Sequence, residues 1–416
     1  MPWGDLFRNR DYVAFWSGVV LSQIGTRATV AASLYQVYAL SGSIAATGLV
    51  GAAQVAALLT LSPLGGVLAD RWDRRRLLQA AQLTAMAVAI GLALLTLYGH
   101  VRVWHIVVAT LLTSAAATFD QPCRQALIPA LVPRPMLPAA IALLNPSREL
   151  AVLSGPAIGG LLIAVGGPGL VYLLDAVTYL VLVGALAVLR IAPMPRSDTP
   201  AASVLASMRE GVRYVRHRPL IWSLCGLDLV LSVLGAYRVL LPALAERLGF
   251  GPTGYGLLAS APSLGALAAT YGIVRLVMAS HRLGRALLLA MIGYGLTAIV
   301  FVQVAVVPVA IGAALLLGAF DATATTIRHS AVQLATPDAL RGRVQSLYQI
   351  TSRGGPALGD VVVGAAATLL GPVLALSCGA AIPALVAAAL LTRPNRVRDY
   401  AGIADQPVER EVARPD

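Results

Sequence analysis

Twelve long apolar runs follow one another from Tyr12 to Thr392, most of them parted by only a few polar residues. They lie at 12–39, 43–69, 76–98, 102–128, 137–165, 169–190, 219–246, 253–278, 284–304, 307–334, 340–368 and 371–392. A helix needs about 20 apolar residues to cross a hydrocarbon core, and inside lipid the backbone must satisfy its own hydrogen bonds, which runs of this length do as helices. A soluble fold does not account for them. Of the 416 residues, 58% are hydrophobic and only 12% charged, whereas soluble domains are about 45–50% apolar and about a quarter charged. The expected fold is therefore an all-α membrane protein with twelve transmembrane helices. A short charged lead precedes Tyr12 without a small-residue cleavage site, so the first run is read as a span and not as a removable leader.

Arginine placement orients the runs. The net charge of +12 comes from arginine alone, since the chain has no lysine. With both termini cytoplasmic, the inner segments hold Arg8, Arg10, Arg71, Arg74, Arg75, Arg76, Arg134 and most of the rest, while the outer loops hold only Arg102 and Arg247. That asymmetry follows the positive-inside rule and implies a multi-pass protein of the cell inner membrane. Because the arginines recur between runs and form no single patch, nucleic acid is not an expected partner. Cys123, Cys225 and Cys378 are isolated and suggest neither a disulfide framework nor a metal site. No phosphate-binding glycine loop is present, so neither ATP nor any other cofactor is expected.

The longest polar break divides the chain into a six-helix bundle (1–191), a linker (192–218), a second six-helix bundle (219–393) and a cytoplasmic tail (394–416). In the linker Leu205, Met208, Val212 and Val215 share one helical face, with Arg209, Arg213 and Arg216 elsewhere. This fits either an amphipathic helix on the inner leaflet or a solvated linker helix. The two halves also repeat. A shift of 208 residues carries Arg8 to Arg216, Gly48 to Gly256 and Arg74 to Arg282. A shift near 200 carries Phe119-Asp120 to Phe320-Asp321, and Gly155-Pro156 to Gly355-Pro356. Parallel six-helix repeats imply a pseudo-two-fold axis along the membrane normal and a site between the halves at mid-bilayer.

Charge inside a span costs about 2.5–3.5 kcal/mol per residue on insertion scales and normally faces the protein interior or a wet cavity. Such residues are Arg27 in the first run, Asp120 and Arg124 in the fourth, Arg148 and Glu149 in the fifth, Asp228 and Arg238 in the seventh, Asp321 and Arg328 in the tenth, and Arg353 and Asp360 in the eleventh. The sixth has only Asp175 and the eighth only Arg275; the third, ninth and twelfth have none. Asp120, Arg124, Glu149 and Asp321 are candidates for a proton or charge relay. Gln23, Arg27, Asp228, Arg238 and Arg328 are candidates for the cavity. Asp120 and Arg124, four apart, either neutralise each other or gate. Glu149 is either a proton carrier or half of a static interhelical pair, its neighbour Arg148 pointing ~100° away. Asp321 and Arg328 lie two turns apart on one face. The Gly-Pro pairs are read as interruptions of the fifth and eleventh helices, serving a bend, close packing, or both. An embedded enzyme would need converging acids, histidines or a nucleophile with its base. DQPCR at Asp120 has one acid, and the histidines are scattered.

The stretch GGVLADRWDRRRLLQ from Gly65 to Gln79 resembles the loop between the second and third helices of the major facilitator superfamily. Gly66, Asp70, Arg71, Arg74 and Arg75 match its pattern, and Asp73 stands where a second glycine is usual. Gly155, Pro156, Gly159 and Gly160 resemble the helix 5 motif of the superfamily's antiporters, whose upstream glycines are absent here. LFRNRDYVAFWSGVVLSQIG and RQALIPALVP resemble its drug and siderophore exporters, and the likeness spans about residues 10–392. It implies two pseudo-symmetric bundles that act as a monomer, moving a hydrophobic or amphipathic small molecule outward by alternating access in exchange for protons. A lipid flippase or an uptake carrier is the alternative on the same fold. It further implies that Asp70 latches onto the start of helix 11, where Thr336 or Asp338 would cap, and that Arg71 pairs with an acid on helix 4, Asp120 being nearest. Related exporters often carry an acid directly after the Ser-Gln-x-Gly of helix 1. Thr26 stands there, so any proton route must run elsewhere.

Overall fold

A computed structural model describes residues 6–71, 73–189, 201–280 and 282–402, without the side chains of 62–71, 145, 201–208, 278–279, 338–339, 346 and 353. Among these residues twelve long helices carry the architecture: α1 (Arg10–Ser41), α2 (Ile44–Arg71), α3 (Arg74–Leu97), α4 (Val103–Leu131), α5 (Leu144–Gly166), α6 (Pro168–Val188), α7 (Pro219–Leu234), α8 (Gly251–Ala279), α9 (Leu283–Gln303), α10 (Val307–Leu334), α11 (Asp338–Leu370) and α12 (Pro372–Thr392). Among the described residues, ten segments are long and apolar enough to cross a membrane. The other two long helices, α1 and α11, are more polar and pack among those ten.

Local chemistry sets several of the ends. Asn9 starts α1 by accepting from the backbone N–H groups of Asp11 and Tyr12, both at 3.1 Å, and Gly42, at φ 62°, closes it. Asp73 starts α3: its Oδ1 accepts from the N–H groups of Arg75 at 2.9 Å and Arg76 at 3.2 Å. The residue that departs from the superfamily's loop pattern is thus a helix cap, satisfying donors that the first turn leaves open.

Two spans are not the single helices expected. The run 137–165 follows a tight turn, Arg134–Met136, and opens with a short helix, Leu137–Ala142, before α5 begins at Leu144. The run 219–246 breaks after Leu234, turns through Arg238–Leu240 and resumes as a short helix, Leu241–Arg247. At that break the Tyr294 hydroxyl donates to the Gly235 carbonyl at 2.8 Å. A side chain at 235 would crowd the same ring, 2.8 Å from its Cε1, so glycine admits the tyrosine that satisfies the open helix end. Conversely, Pro156 and Pro356 do not interrupt their helices, and α5 and α11 run through both. Nor does Thr336 cap α11. Its hydroxyl donates back to the Val332 carbonyl at 2.6 Å, while the Asp338 side chain lies outside the described residues.

Helices α1–α6 form one bundle and α7–α12 the other. The linker helix, Ala201–His217, is docked on the second bundle rather than lying apart from it. Glu210 pairs with Arg343 at 2.6 Å, the Tyr214 hydroxyl donates to the Ala335 carbonyl at 3.3 Å, and Val215 is buried. Of the expected apolar face, Leu205 and Met208 fall outside the described side chains. Val212 is exposed. The start of the expected tail is packed as well. Val397 and Tyr400 are buried, and the Tyr400 carbonyl accepts from the N–H of Gly284 at 3.0 Å. Residues 403–416 lie outside the description.

The two ends of the molecule differ. The linker helix and the turns at 132–143 and 335–337 lie at one end, the linker face; the turns at 42–43, 98–102, 166–168, 248–250, 304–306 and 371 lie at the other, the hairpin face. The bundles meet mainly through α2 against α11 and α5 against α8, and among the described residues their close glycine contacts lie toward the hairpin face. A Cβ on Gly48 would sit 2.8 Å from the Asp360 carbonyl oxygen, and one on Gly160 would sit 2.6 Å from Gly256 Cα. Glycines bring the backbones together there. Nearby the Tyr255 hydroxyl donates to the Ala31 carbonyl at 2.8 Å, and the Thr47 hydroxyl to the Val239 carbonyl at 3.2 Å.

Candidate functional site

Among the described residues, most of the intramembrane charges fall into three groups. In the first bundle Asp120 and Arg124 pair at 2.6 Å along one face of α4. Gln82 of α3 donates to the same Asp120 oxygen at 2.9 Å and accepts from the Ser22 hydroxyl of α1 at 3.2 Å, while Arg124 Nη2 reaches Ser22 Oγ at 3.4 Å. Three helices are joined by one polar network. Gln82 and Ser22 escaped the sequence reading because α3 carries no charge in its span and serine is common in apolar helices.

In the second bundle Arg328 does not turn to Asp321, although the two share a face of α10. It pairs with Asp228 of α7 at 2.7 Å, and both side chains are almost wholly buried. The Arg328 Nε and Nη1 atoms have no partner at hydrogen-bonding distance, and neither has Asp228 Oδ2. Asp321 is exposed, yet it lies within electrostatic reach of Arg328, Asp228 and Tyr237. Arg238, expected on a helix, sits on the tight turn beyond α7 and pairs with Asp360 of α11 at 2.7 Å. Asp360, present in the charge map but not among the candidates, forms part of the bundle boundary. A Cβ on Gly51 would lie 2.7 Å from its Cβ.

The third group involves α5 and α10. Glu149 pairs with Arg148, its own neighbour, at 3.0 Å, and both side chains are more than half exposed. The expectation of a pair to another helix is corrected: two long exposed side chains bend together despite their diverging Cβ directions. Arg148 is within electrostatic reach of His329 on α10, whose ring meets Gln345 at 2.7 Å and stacks on Tyr348 with centroids 5.7 Å apart. Arg148 and Glu149 lie near the start of α5, on the linker side of the glycine contacts. Gln23 is partly exposed and Arg27 exposed on α1.

The two sequence motifs fare differently. Gly155 and Gly159 seat α5 on α1: a Cβ on Gly155 would clash with that of Arg27, and one on Gly159 would lie 3.1 Å from the Ala28 carbonyl oxygen. Pro156 offers its carbonyl to the face of Gly256, 2.7 Å from a Cβ there, and Gly160 completes that contact. In the loop motif Arg75 donates to the carbonyls of Leu189 at 2.9 Å and Ala187 at 2.8 Å, tying the start of α3 to the end of α6. Arg74 is also engaged. Gly66, Asp70 and Arg71, like Arg353, fall outside the described side chains, and the expected Arg71 partner Asp120 is held by Arg124 and Gln82.

The profile of the transmembrane secretion effector family matches residues 2–414. The chain belongs to that family, within the major facilitator superfamily. Enterobactin exporters EntS of Shigella boydii serotype 18 and of Escherichia coli O1:K1 are each 30% identical to this chain over 315 residues, 76% of it and 75% of theirs. Among solved structures, a bacterial homologue of the human lysosomal transporter Spinster, inward-facing and unoccupied, superposes with a TM-score of 0.71 at 15% identity, covering 92% of this chain and 96% of that one. A peptide transporter, POT, in complex with sulfate gives 0.73 at 14% identity over 95% and 96%. At such identity these two establish the shared fold. This member of the family is a multi-pass membrane transporter and not an enzyme.

Proposed function

We propose that the protein exports an amphipathic, siderophore- or drug-like small molecule across the cell inner membrane by alternating access, as a monomer and in exchange for protons. The observation that carries the reading is the glycine contact of the bundles toward the hairpin face, with Arg148, Glu149 and Asp321 exposed on its linker side, where they would line an open crevice. The arginine asymmetry makes the linker face cytoplasmic, so an open crevice there would load from the cell interior. The likeness to enterobactin exporters supports outward movement of a siderophore-like cargo, and the ionic groups around the crevice supply carboxylates for proton exchange. The superfamily latch at Asp70 would hold the cytoplasmic side shut in the opposite state.

The test is accumulation in an efflux-deficient bacterial host, with enterobactin and a panel of amphipathic antibiotics as probes. Expression of the chain lowers the intracellular level of at least one probe, and a protonophore abolishes the difference. Rising accumulation would reassign the protein to uptake. A panel left wholly unaffected, with labelled phospholipids changing leaflet instead, would make it a flippase.

A further inference from the structure

Asp175 lies in the middle of α6, wholly buried. Helix α1 comes so close that a Cβ on Gly25 would sit 2.6 Å from Asp175 Oδ1 and 2.5 Å from Thr178 Oγ1. The polar neighbours of this carboxyl are hydroxyls. Thr178 reaches Oδ1 at 3.3 Å, Thr29 and Tyr179 face the group, and Oδ2 has no partner at hydrogen-bonding distance. Among the described residues no basic side chain forms an ion pair with it. The charged groups on the helices packed around it are occupied or turned away. Arg27 of α1 points to the exposed side, and Arg148 and Glu149 of α5 pair with each other. The polar residue of α3 on this side is the uncharged Gln82, bonded to Asp120.

Tyr179 lies one turn along from Asp175 on the same face. Its hydroxyl is 2.9 Å from that of Thr26, which in turn donates to the Ser22 carbonyl at 2.8 Å. Ser22 belongs to the network of Gln82, Asp120 and Arg124. The two sets meet at Ser22, through its carbonyl on one side and its hydroxyl on the other, so among the described residues this polar cluster of four helices holds two carboxyls and a single arginine. Ionising both would strand an unpaired negative charge away from water, a costly state; one bound proton balances the set.

We propose that Asp175 carries that proton and is the exchangeable site of the first bundle, Tyr179 and Thr26 linking it to the Asp120–Arg124 pair. The inference rests on the proton-exchange part of the proposed function and names the group that would serve it. The proton sits on a carboxyl oxygen of Asp175, between α1 and α6. It leaves when those helices slide apart at Gly25 and water reaches the group.

Infrared difference spectroscopy across a pH titration, on the full chain reconstituted in phosphatidylethanolamine–phosphatidylglycerol vesicles, reads this without any substrate. A protonated-carboxyl stretch is present at neutral pH, lost in Asp175→Asn and shifted in frequency in Asp175→Glu. The Glu variant keeps the test decisive if the Asn variant does not fold. No such band, or a band unmoved by either substitution, overturns the assignment. In the same vesicles, with enterobactin as probe, an imposed pH gradient drives transport by wild-type protein but not by Asp175→Asn. Gradient-driven transport equal in both overturns the role of Asp175 alone. Transport by wild-type protein that ignores the gradient while the band persists overturns proton exchange itself, and with it that role.

Discussion

Single residues decide how this chain tolerates charge in lipid. Asp228 and Arg328 are buried together at 2.7 Å, so each is acceptable only because of the other. Removing one partner of such a pair typically costs about 3–5 kcal/mol, whereas replacing both by apolar residues is often neutral. Asp228→Ala should therefore lower the thermal unfolding midpoint sharply in detergent, and Asp228→Leu with Arg328→Met should restore most of it. A double variant no more stable than the single one would mean that the pair is not the source of the cost. Asp73 acts on a smaller scale. As the cap of α3 it predicts a loss of about 0.5–2 kcal/mol for Asp73→Ala and only a few tenths for Asp73→Gly, measured by the same melts. The ordering matters more than the sizes, because glycine is the residue usual at this place in the superfamily's loop.

At the scale of elements, close helix packing, and not a bend, is the outcome at the two Gly-Pro pairs. Helices α5 and α11 keep their course through Pro156 and Pro356, while their neighbouring glycines allow α5 to touch α1 and α8, and α11 to touch α7. The α5–α8 contact has no room for a side chain, a Cβ on Gly160 falling 2.6 Å from Gly256 Cα. Gly160→Val should thus disfavour closure at the hairpin face and shift the population toward the opposite state. In a background with Cys123, Cys225 and Cys378 replaced, an Arg148→Cys reporter should then react more slowly with a polar thiol reagent added at the linker face. Equal labelling rates with and without Gly160→Val would show that this contact does not control the closure.

For the molecule as a whole, alternating access requires the seal at the hairpin face to open in every cycle. Thr47 and Val239 belong to different bundles and meet there, hydroxyl to carbonyl, at 3.2 Å. Cysteines at these two positions, oxidised to a disulfide, should stop export of whichever probe the accumulation screen identifies, and reduction should restore it. Continued export by fully cross-linked protein would contradict rocking of the bundles. Across the same whole, the parts of the site that could be read in advance were those with a local cause. Asp120 and Arg124 pair because they stand four apart on one helix, and that spacing is visible in the chain. Arg328 prefers Asp228 on another helix to Asp321 on its own, and no spacing reveals such a choice.

The order of apolar runs, the arginine asymmetry and the motif residues are properties of the chain itself. From them follow the membrane, the two bundles and the family, because length and hydrophobicity alone dictate whether a helix enters lipid. Partnerships across helices came from the tertiary structure: which arginine neutralises which acid, where α7 breaks against Tyr294, and that Asp175 meets only hydroxyls. Those depend on rotation and depth of helices packed side by side. Lipid is indifferent to either, and only the neighbouring helix selects them.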